Sequence, residues 1–125
     1  MFGFTMTVLV VRFRKALMAL VAMSVSAGAY AGSVNGAVIT GLGIDTQIGN
    51  VAYISLNIAK STNASCSANT AGNFVFVLPL TTALENQMLA VLLTARASQI
   101  PVANLTGNGL CDTVAGIETL VAFTL

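Results

Sequence analysis

The sequence contains no histidine and no tryptophan, and only 7% of its residues are charged. Ser-His-Asp and Cys-His nucleophilic systems need an imidazole, and histidine is the commonest zinc ligand, so these kinds of active site are excluded. The glycine pairs Gly41/Gly43 and Gly107/Gly109 do not extend to the G-x-G-x-x-G or G-K-[ST] patterns that cradle phosphates. We therefore expect no enzyme, no cofactor and no metal site.

The N-terminal segment has the order of a secretory signal peptide. It contains three basic residues, Arg12, Arg14 and Lys15. An apolar run, residues 16–25, follows them, and small residues then lead to an A-x-A site at Ala29 and Ala31. We expect cleavage between Ala31 and Gly32, which makes residues 1–31 the signal peptide. A retained membrane helix is the alternative, but it would need about 20 apolar residues.

Cleavage would leave one domain, residues 32–125, with room for a single core of about 94 residues. This domain contains two basic side chains, Lys60 and Arg96, and four acidic ones. The net charge is +1 for the precursor and −2 after cleavage. Two isolated cations cannot neutralise a phosphate backbone, so nucleic acid is a poor partner, and we expect no stable membrane insertion after cleavage. Low charge also removes the repulsion between copies and favours a homo-oligomer.

The two cysteines, Cys66 and Cys111, are predicted to form a disulfide, because an exported protein with an even cysteine count usually pairs them. Closing a loop of about 46 residues stabilises a fold by roughly 4 kcal/mol on the chain-entropy model. A redox pair is the alternative, but the spacing is not C-x-x-C and no basic neighbour would activate a thiolate.

Hydrophobic patterning predicts five strands, at residues 33–41, 51–59, 73–80, 100–105 and 117–125. In the second strand, Ala52, Ile54 and Leu56 alternate with Tyr53 and Ser55, which is typical of a half-buried strand. The glycines and polar residues between the first two strands predict a turn that begins near residue 41. The polar segment 60–72 is predicted to be a surface loop.

One helix is predicted over residues 83–98. Thr82 and Glu85 have the T-x-x-E spacing of a capping box, and Pro101 prevents continuation of the helix. Apolar side chains at spacings of three and four predict burial on more than one side of this helix: Leu84, Met88, Leu89, Val91, Leu92, Leu93 and Ala95.

Few side chains are candidates for a functional site. Asp112 and Glu118 could form the acid pair of a small hydrolase, but both lie in or beside a predicted turn, where exposed, solvated acids are expected. Tyr53 is the aromatic residue placed opposite the apolar face of its strand, so it is the candidate for surface contact with a protein or glycan ligand. A core or barrel-rim tyrosine is the alternative. The phenylalanines fit core positions: Phe74, Phe76 and Phe123.

The order of three strands, one helix and two strands is that of the OB-fold barrel. Residues 73–119 resemble small exported bacterial proteins of unassigned function, in which a phenylalanine strand, an M-L-A-x-L-L-x-A helix, a P-V strand and a G-x-G-x-C-D turn follow one another. More distantly, the layout is similar to the B subunits of AB-type bacterial toxins, which are exported, disulfide-bonded and pentameric. That similarity rests on element order and transfers no binding residues.

We expect a β-rich α+β fold with five antiparallel strands and one helix between the third and fourth, forming an OB-fold-like barrel. An open antiparallel sheet with the helix on one face is the alternative, because an ideal OB barrel places the segments of Cys66 and Cys111 towards opposite ends. The predicted function is a non-enzymatic binding or assembly module, periplasmic or secreted. A structural fimbrial-type subunit is the first alternative, and a small hydrolase using Asp112 and Glu118 is the second.

Overall fold

A computed structural model describes residues 30–125. Ala29 and the rest of the predicted signal peptide before it lie outside the described residues, whereas Ala31 and Gly32 lie inside them. The elements are β1 (Ser33–Ala37), β2 (Ile39–Asp45), β3 (Val51–Leu56), β4 (Phe76–Pro79), α1 (Ala83–Ser98), β5 (Val102–Gly107) and β6 (Glu118–Thr124). Within the described part of the chain, no helix has the length and apolar character needed to cross a membrane.

The strands form one six-stranded sheet in the order β1-β5-β6-β4-β3-β2. Neighbours are antiparallel except for β4 and β6, which run parallel with Phe76 beside Glu118. Because β1 and β2 follow each other in the chain yet lie at the two ends of the strand order, the sheet curls into a half-barrel. The β-rich α+β class agrees with the expectation, but the sheet has six strands instead of five, and it is mixed instead of antiparallel.

The sixth strand arises because the first predicted strand divides at Val38. The N–H of Val38 donates to Asn57 Oδ1 (2.8 Å), and its carbonyl accepts from the N–H of Asn57 (3.1 Å). The residues before Val38 pair with β5, and those after it pair with β3. The predicted turn also begins too early, because Gly41 and Gly43 belong to β2 and the connection to β3 is residues 46–50.

The main core lies inside the curl and includes Ala52, Ile54 and Leu56, the inward-facing residues of β3. Helix α1 covers this core with three buried residues, Leu89, Leu92 and Ala95. The expectation that α1 is buried on more than one side is wrong. Met88 is partly buried against the same core. The other three apolar side chains project into solvent, with exposed fractions of 66% for Leu84, 39% for Val91 and 44% for Leu93.

A smaller cluster packs on the outer face of β3 and β4. Val51, Val77 and Ile117 are buried there, and Tyr53 and Val114 pack against them. Successive strand residues project to opposite faces, so Val51 and Tyr53 point away from the main core. The segment between β5 and β6 therefore covers part of the outer surface of the sheet.

Both ends of α1 are capped. Thr82 Oγ1 accepts from the N–H of Glu85 (3.2 Å), and Glu85 Oε2 accepts from the N–H groups of Thr82 (2.8 Å) and Thr81 (2.7 Å). At the other end Gln99 adopts a left-handed conformation and donates to helix carbonyls. These local contacts fix the helix bounds at residues 83–98.

The predicted disulfide between Cys66 and Cys111 is confirmed, with an S–S distance of 2.09 Å and a Cα–Cα distance of 6.0 Å. The loop that follows β3 runs back beside β1, where the N–H of Ser33 donates to the carbonyl of Thr62 (3.1 Å) and the N–H of Ser61 donates to that of Ser33 (2.7 Å). This return path carries Cys66 to the segment after β5, where it meets Cys111.

Candidate functional site

Tyr53 and Phe74 form an aromatic pair on the outer face of the sheet. Their ring centroids lie 5.1 Å apart, and the ring planes are inclined by 57°. Phe74 is 47% exposed, and Tyr53 is half-buried. The expectation that Phe74 occupies the core is wrong, because β4 begins only at Phe76, and the turn before it directs Phe74 outwards.

The backbone holds Phe74 in a strained conformation. Its φ angle is +55°, in the left-handed region that bulky residues avoid at a cost on the order of 1–3 kcal/mol. The N–H of Phe74 donates to Ser55 Oγ (3.1 Å), and the N–H of Val75 donates to the carbonyl of Ile54 (2.8 Å). Such strain persists only where the surroundings enforce it, and here two hydrogen bonds donated to β3 keep the Phe74 ring beside Tyr53.

The strand next to Tyr53 leaves its ring uncovered on one side. Gly43 is the register partner of Tyr53, and Gly41 is the partner of Ser55. Directly opposite residues of an antiparallel pair project from the same face. A Cβ on Gly43 would meet no atom of residues 30–125 within 4 Å, and one on Gly41 would touch only Ser55, at 3.4 Å.

We call the surface formed by Gly41, Gly43, Tyr53 and Phe74 the aromatic platform. Asp45 extends the same face, since its register partner is Val51, two residues before Tyr53. Its carboxylate accepts from the N–H of Gln47 (2.7 Å) and lies in a half-exposed position. The platform thus combines two ring surfaces, an open strip of backbone and an acceptor for hydroxyl groups at one end.

A second cluster of polar groups is buried. Glu118 Oε2 accepts from Lys60 Nζ (2.9 Å), and Glu118 Oε1 accepts from the N–H groups of Gly32 (2.7 Å) and Gly109 (2.9 Å). Both charged side chains have 0% exposure. We call these four residues the buried ionic cluster. The expectation of an exposed, solvated Glu118 is wrong, and Lys60 is buried although its loop was predicted to lie on the surface.

The environment of Lys60 explains how an ammonium group is accommodated there. Its Nζ lies 4.2 Å from the ring centroid of Phe76 and 3.3 Å from Ser67 Oγ. Burial lowers the pKa of Lys60, and the hydrogen bond and negative charge of Glu118 oppose this shift. Each oxygen of the carboxylate has a donor, so the cluster suits a structural role better than contact with a substrate.

The two acids of the hydrolase alternative have separate surroundings. Asp112 Oδ1 accepts from Thr119 Oγ1 (3.0 Å), whereas Glu118 belongs to the buried ionic cluster. Glu118 and Thr119 are neighbours in β6, so their side chains project to opposite faces of the sheet. Asp112 lines a groove of about 350 Å³ beside the start of α1, where Glu85 and Met88 form the other wall. Glu118 does not line this groove.

No protein-family model, curated protein or solved structure matches the chain. Within residues 30–125, no three His, Cys, Asp or Glu side chains gather as metal ligands would. The aromatic platform and the buried ionic cluster are the features of the described residues that bear on function.

Sequence reasoning identified Tyr53 but missed the residues that complete its surface. The signal for the glycines was their spacing of two, which places Gly41 and Gly43 on one face of a strand. Glu118 also carried a signal, since alternation places it on the same strand face as Leu120 and Ala122, where a buried acid needs a partner. Phe74 carried none, because its positive φ follows from packing against β3.

Proposed function

We propose that the protein is an exported, non-enzymatic module that binds neutral sugar rings of a glycan on the aromatic platform. The observation that carries this proposal is the Tyr53–Phe74 pair, partly exposed beside the bare backbone of Gly41 and Gly43. The C–H face of a pyranose is apolar and can stack on an aromatic ring, while its hydroxyl groups point sideways towards hydrogen-bond partners. Asp45 supplies an acceptor at the end of the platform.

The strand arrangement supports the same site. If β1 and β2 count as halves of one bent strand, the pairing order and the parallel pair β4/β6 correspond to an OB-fold-like barrel. Proteins of this fold bind oligonucleotides and oligosaccharides on the face of the second and third strands, which here are β3 and β4. Tyr53 lies on β3, and Phe74 lies just before β4. With a mature net charge of −2, sugars are the better ligand class than nucleic acids.

The shallow shape of the platform sets its affinity. A single sugar on an open surface buries little area, so we expect a dissociation constant on the order of 1 mM, which corresponds to about 4 kcal/mol. Useful binding would then need several platforms acting together, because linked sites raise the effective concentration.

Self-association is therefore a second proposed property, and the exposed apolar side chains of α1 favour it. Leu84 and Val91, two turns apart on one side of the helix, are too exposed to contribute much to the core. Burying them between copies would stabilise a closed homo-oligomer at roughly 25 cal/mol per Å² of apolar surface. The disulfide supports residence in the periplasm or outside the cell, where such bonds persist.

The ligand proposal is tested by applying the exported mature protein to an array of immobilised neutral glycans. Binding is expected for the wild type, and Tyr53→Ala should weaken it about tenfold, corresponding to about 1.4 kcal/mol. Leu125→Ala is the matched control, because it changes an exposed apolar residue beyond the end of β6, outside both the platform and α1. Equal binding by Tyr53→Ala and wild type would contradict the proposal, and cleavage of a bound glycan would contradict the non-enzymatic assignment.

Light scattering after size-exclusion chromatography tests assembly separately. A closed oligomer is expected for the wild type and for Tyr53→Ala, and a smaller particle is expected for Leu84→Glu. A wild-type monomer would contradict assembly through α1, and open polymers would support the fimbrial-type alternative.

A further inference from the structure

The buried ionic cluster includes the residue that would become the N-terminus of the mature chain. Gly32 is buried, and its N–H donates to Glu118 Oε1 over 2.7 Å. A Cβ at this position would collide with Glu118 Oε2 and lie 3.1 Å from the carbonyl oxygen of Thr62. The close approach of the carboxylate therefore requires glycine at position 32.

The peptide bond between Ala31 and Gly32 is the one at which the signal-peptide pattern predicts cleavage. Ala31 is exposed, and Tyr30 before it is 80% exposed, so the chain passes from solvent into the cluster within two residues. Hydrolysis of this peptide bond consumes one water molecule. Ala31 leaves with the new carboxylate, and the nitrogen of Gly32 becomes an amine that takes up a proton. A neutral N–H with one donor is thereby replaced by an ammonium group with three.

We propose that Glu118 binds the α-ammonium group of Gly32. Cleavage of the signal peptide would thereby convert a hydrogen bond into a buried ion pair that holds the mature N-terminus in place. This inference rests on the proposed export and cleavage after Ala31, and it is independent of the proposed ligand. The carboxylate then bridges two cations, with Lys60 on one oxygen and the N-terminus on the other. The mature fold is more stable than the precursor fold for this reason.

The neighbours of Gly32 determine how the ion pair responds to pH. In the part of the chain that the structure describes, the charged groups facing its nitrogen are Glu118, directly, and Lys60, through the other carboxylate oxygen. Strand β5 and the residues after it contribute backbone groups, since Gly107 donates to the Gly32 carbonyl (2.9 Å) and Gly109 donates to Glu118. A free α-amino group has a pKa of about 8.

Direct contact with the carboxylate raises the pKa of the α-amino group, whereas burial and the charge of Lys60 lower it. A locked N-terminus requires that the contact with Glu118 outweigh the other two effects. A raised pKa in the folded state contributes stability that is fully present below about pH 8 and is lost as the pH rises further. The ion pair should therefore stabilise the mature protein at pH 6 and contribute nothing once the amine is neutral.

Two mature chains that differ only at the N-terminus provide the test. One begins at Gly32, and the other retains Ala31, so that its Gly32 nitrogen stays an amide and its ammonium group sits on an exposed residue. No side chain of the cluster is altered. In urea unfolding at pH 6, the Gly32 chain should have the higher midpoint, and the difference should shrink towards zero by about pH 10.

Reactivity of the terminal amine gives a second readout that does not depend on stability. At pH 7, reductive methylation of the Gly32 amine should be at least tenfold slower than that of the Ala31 amine, because a paired, buried ammonium cannot react. The double variant Lys60→Met/Glu118→Gln, which removes both charges together, should restore fast labelling.

Equal urea midpoints at pH 6, or equal labelling rates, would overturn the proposal. A mass showing that the exported chain begins at another residue would overturn it as well, and would identify the cleavage prediction as the step that failed. Glycan binding by the same preparation reports on the aromatic platform, so failure of one proposal is distinguishable from failure of the other.

Discussion

Replacing Glu118 with glutamine should be among the most destabilising conservative changes in the protein. Glutamine keeps the shape of the side chain, and its carbonyl oxygen can still accept from the N–H groups of Gly32 and Gly109. The other end of the amide would present an NH2 group to Lys60 Nζ, so the negative charge and the acceptor for Lys60 are lost together. Lys60, with 0% side-chain exposure, would remain buried without a counter-ion, and breaking a buried pair in this way costs about 3–5 kcal/mol. Small domains have only about 5–15 kcal/mol of net stability, so Glu118→Gln should come close to unfolding.

A double-mutant cycle with Lys60→Met separates this charge effect from a packing effect. In the chain that retains Ala31, whose Gly32 nitrogen is an amide, Lys60→Met alone leaves the carboxylate buried with two backbone donors, whereas the double variant leaves neither side-chain charge. We expect the double variant to be more stable than the sum of the single changes predicts, by about 2 kcal/mol. The free energies are measured by urea unfolding at pH 7. Additivity within about 0.5 kcal/mol, or a loss below about 1 kcal/mol for Glu118→Gln, would refute the assignment of a buried ion pair.

Three further predictions concern the disulfide, the helix cap and the close contact of a glycine. Reduction of the disulfide, which joins residues 45 positions apart, should lower the free energy of unfolding by roughly 4 kcal/mol, and coincident urea curves with and without reductant would contradict this. Burial opposes ionisation of Glu85, but hydrogen bonds from the two threonines before the helix outweigh it and lower the pKa of Glu85. A carboxyl group with a lowered pKa in the folded state stabilises the protein above its unfolded pKa, and this stability is lost in acid. The wild type should therefore lose more helix stability than Glu85→Gln between about pH 5 and pH 3, as measured by circular dichroism. Gly107→Ala would place a Cβ 2.7 Å from Cγ of Glu118 and should lower the free energy of unfolding by about 1–3 kcal/mol. A Cβ at position 43 would meet no described atom within 4 Å, so Gly43→Ala should unfold at nearly the wild-type urea concentration.

Local patterns predicted the elements that depend on local contacts. The start of α1 follows from a capping box that spans four residues, and the inward face of β3 follows from alternation within one strand. The disulfide was predictable because only two cysteines exist. None of these inferences required knowledge of which strands are neighbours.

The remaining features depend on contacts between distant parts of the chain. Lys60 and Glu118 are 58 residues apart and meet because the loop after β3 folds back along β1. The parallel pairing of β4 and β6 follows from the route of the chain through α1 and β5, which alternation within a strand does not reveal. Phe74 reaches the surface through a positive φ imposed by hydrogen bonds to β3.

The most direct test of the central claim is a nuclear magnetic resonance titration of the isotope-labelled mature protein with methyl galactoside and methyl glucoside. The aromatic platform predicts that at least one of these sugars shifts the ring signals of Tyr53 and Phe74 and the amide signals of Gly41 and Gly43, with a dissociation constant on the order of 1 mM. Absence of shifts with both sugars, or shifts confined to the groove beside Asp112, would contradict the proposed glycan-binding site.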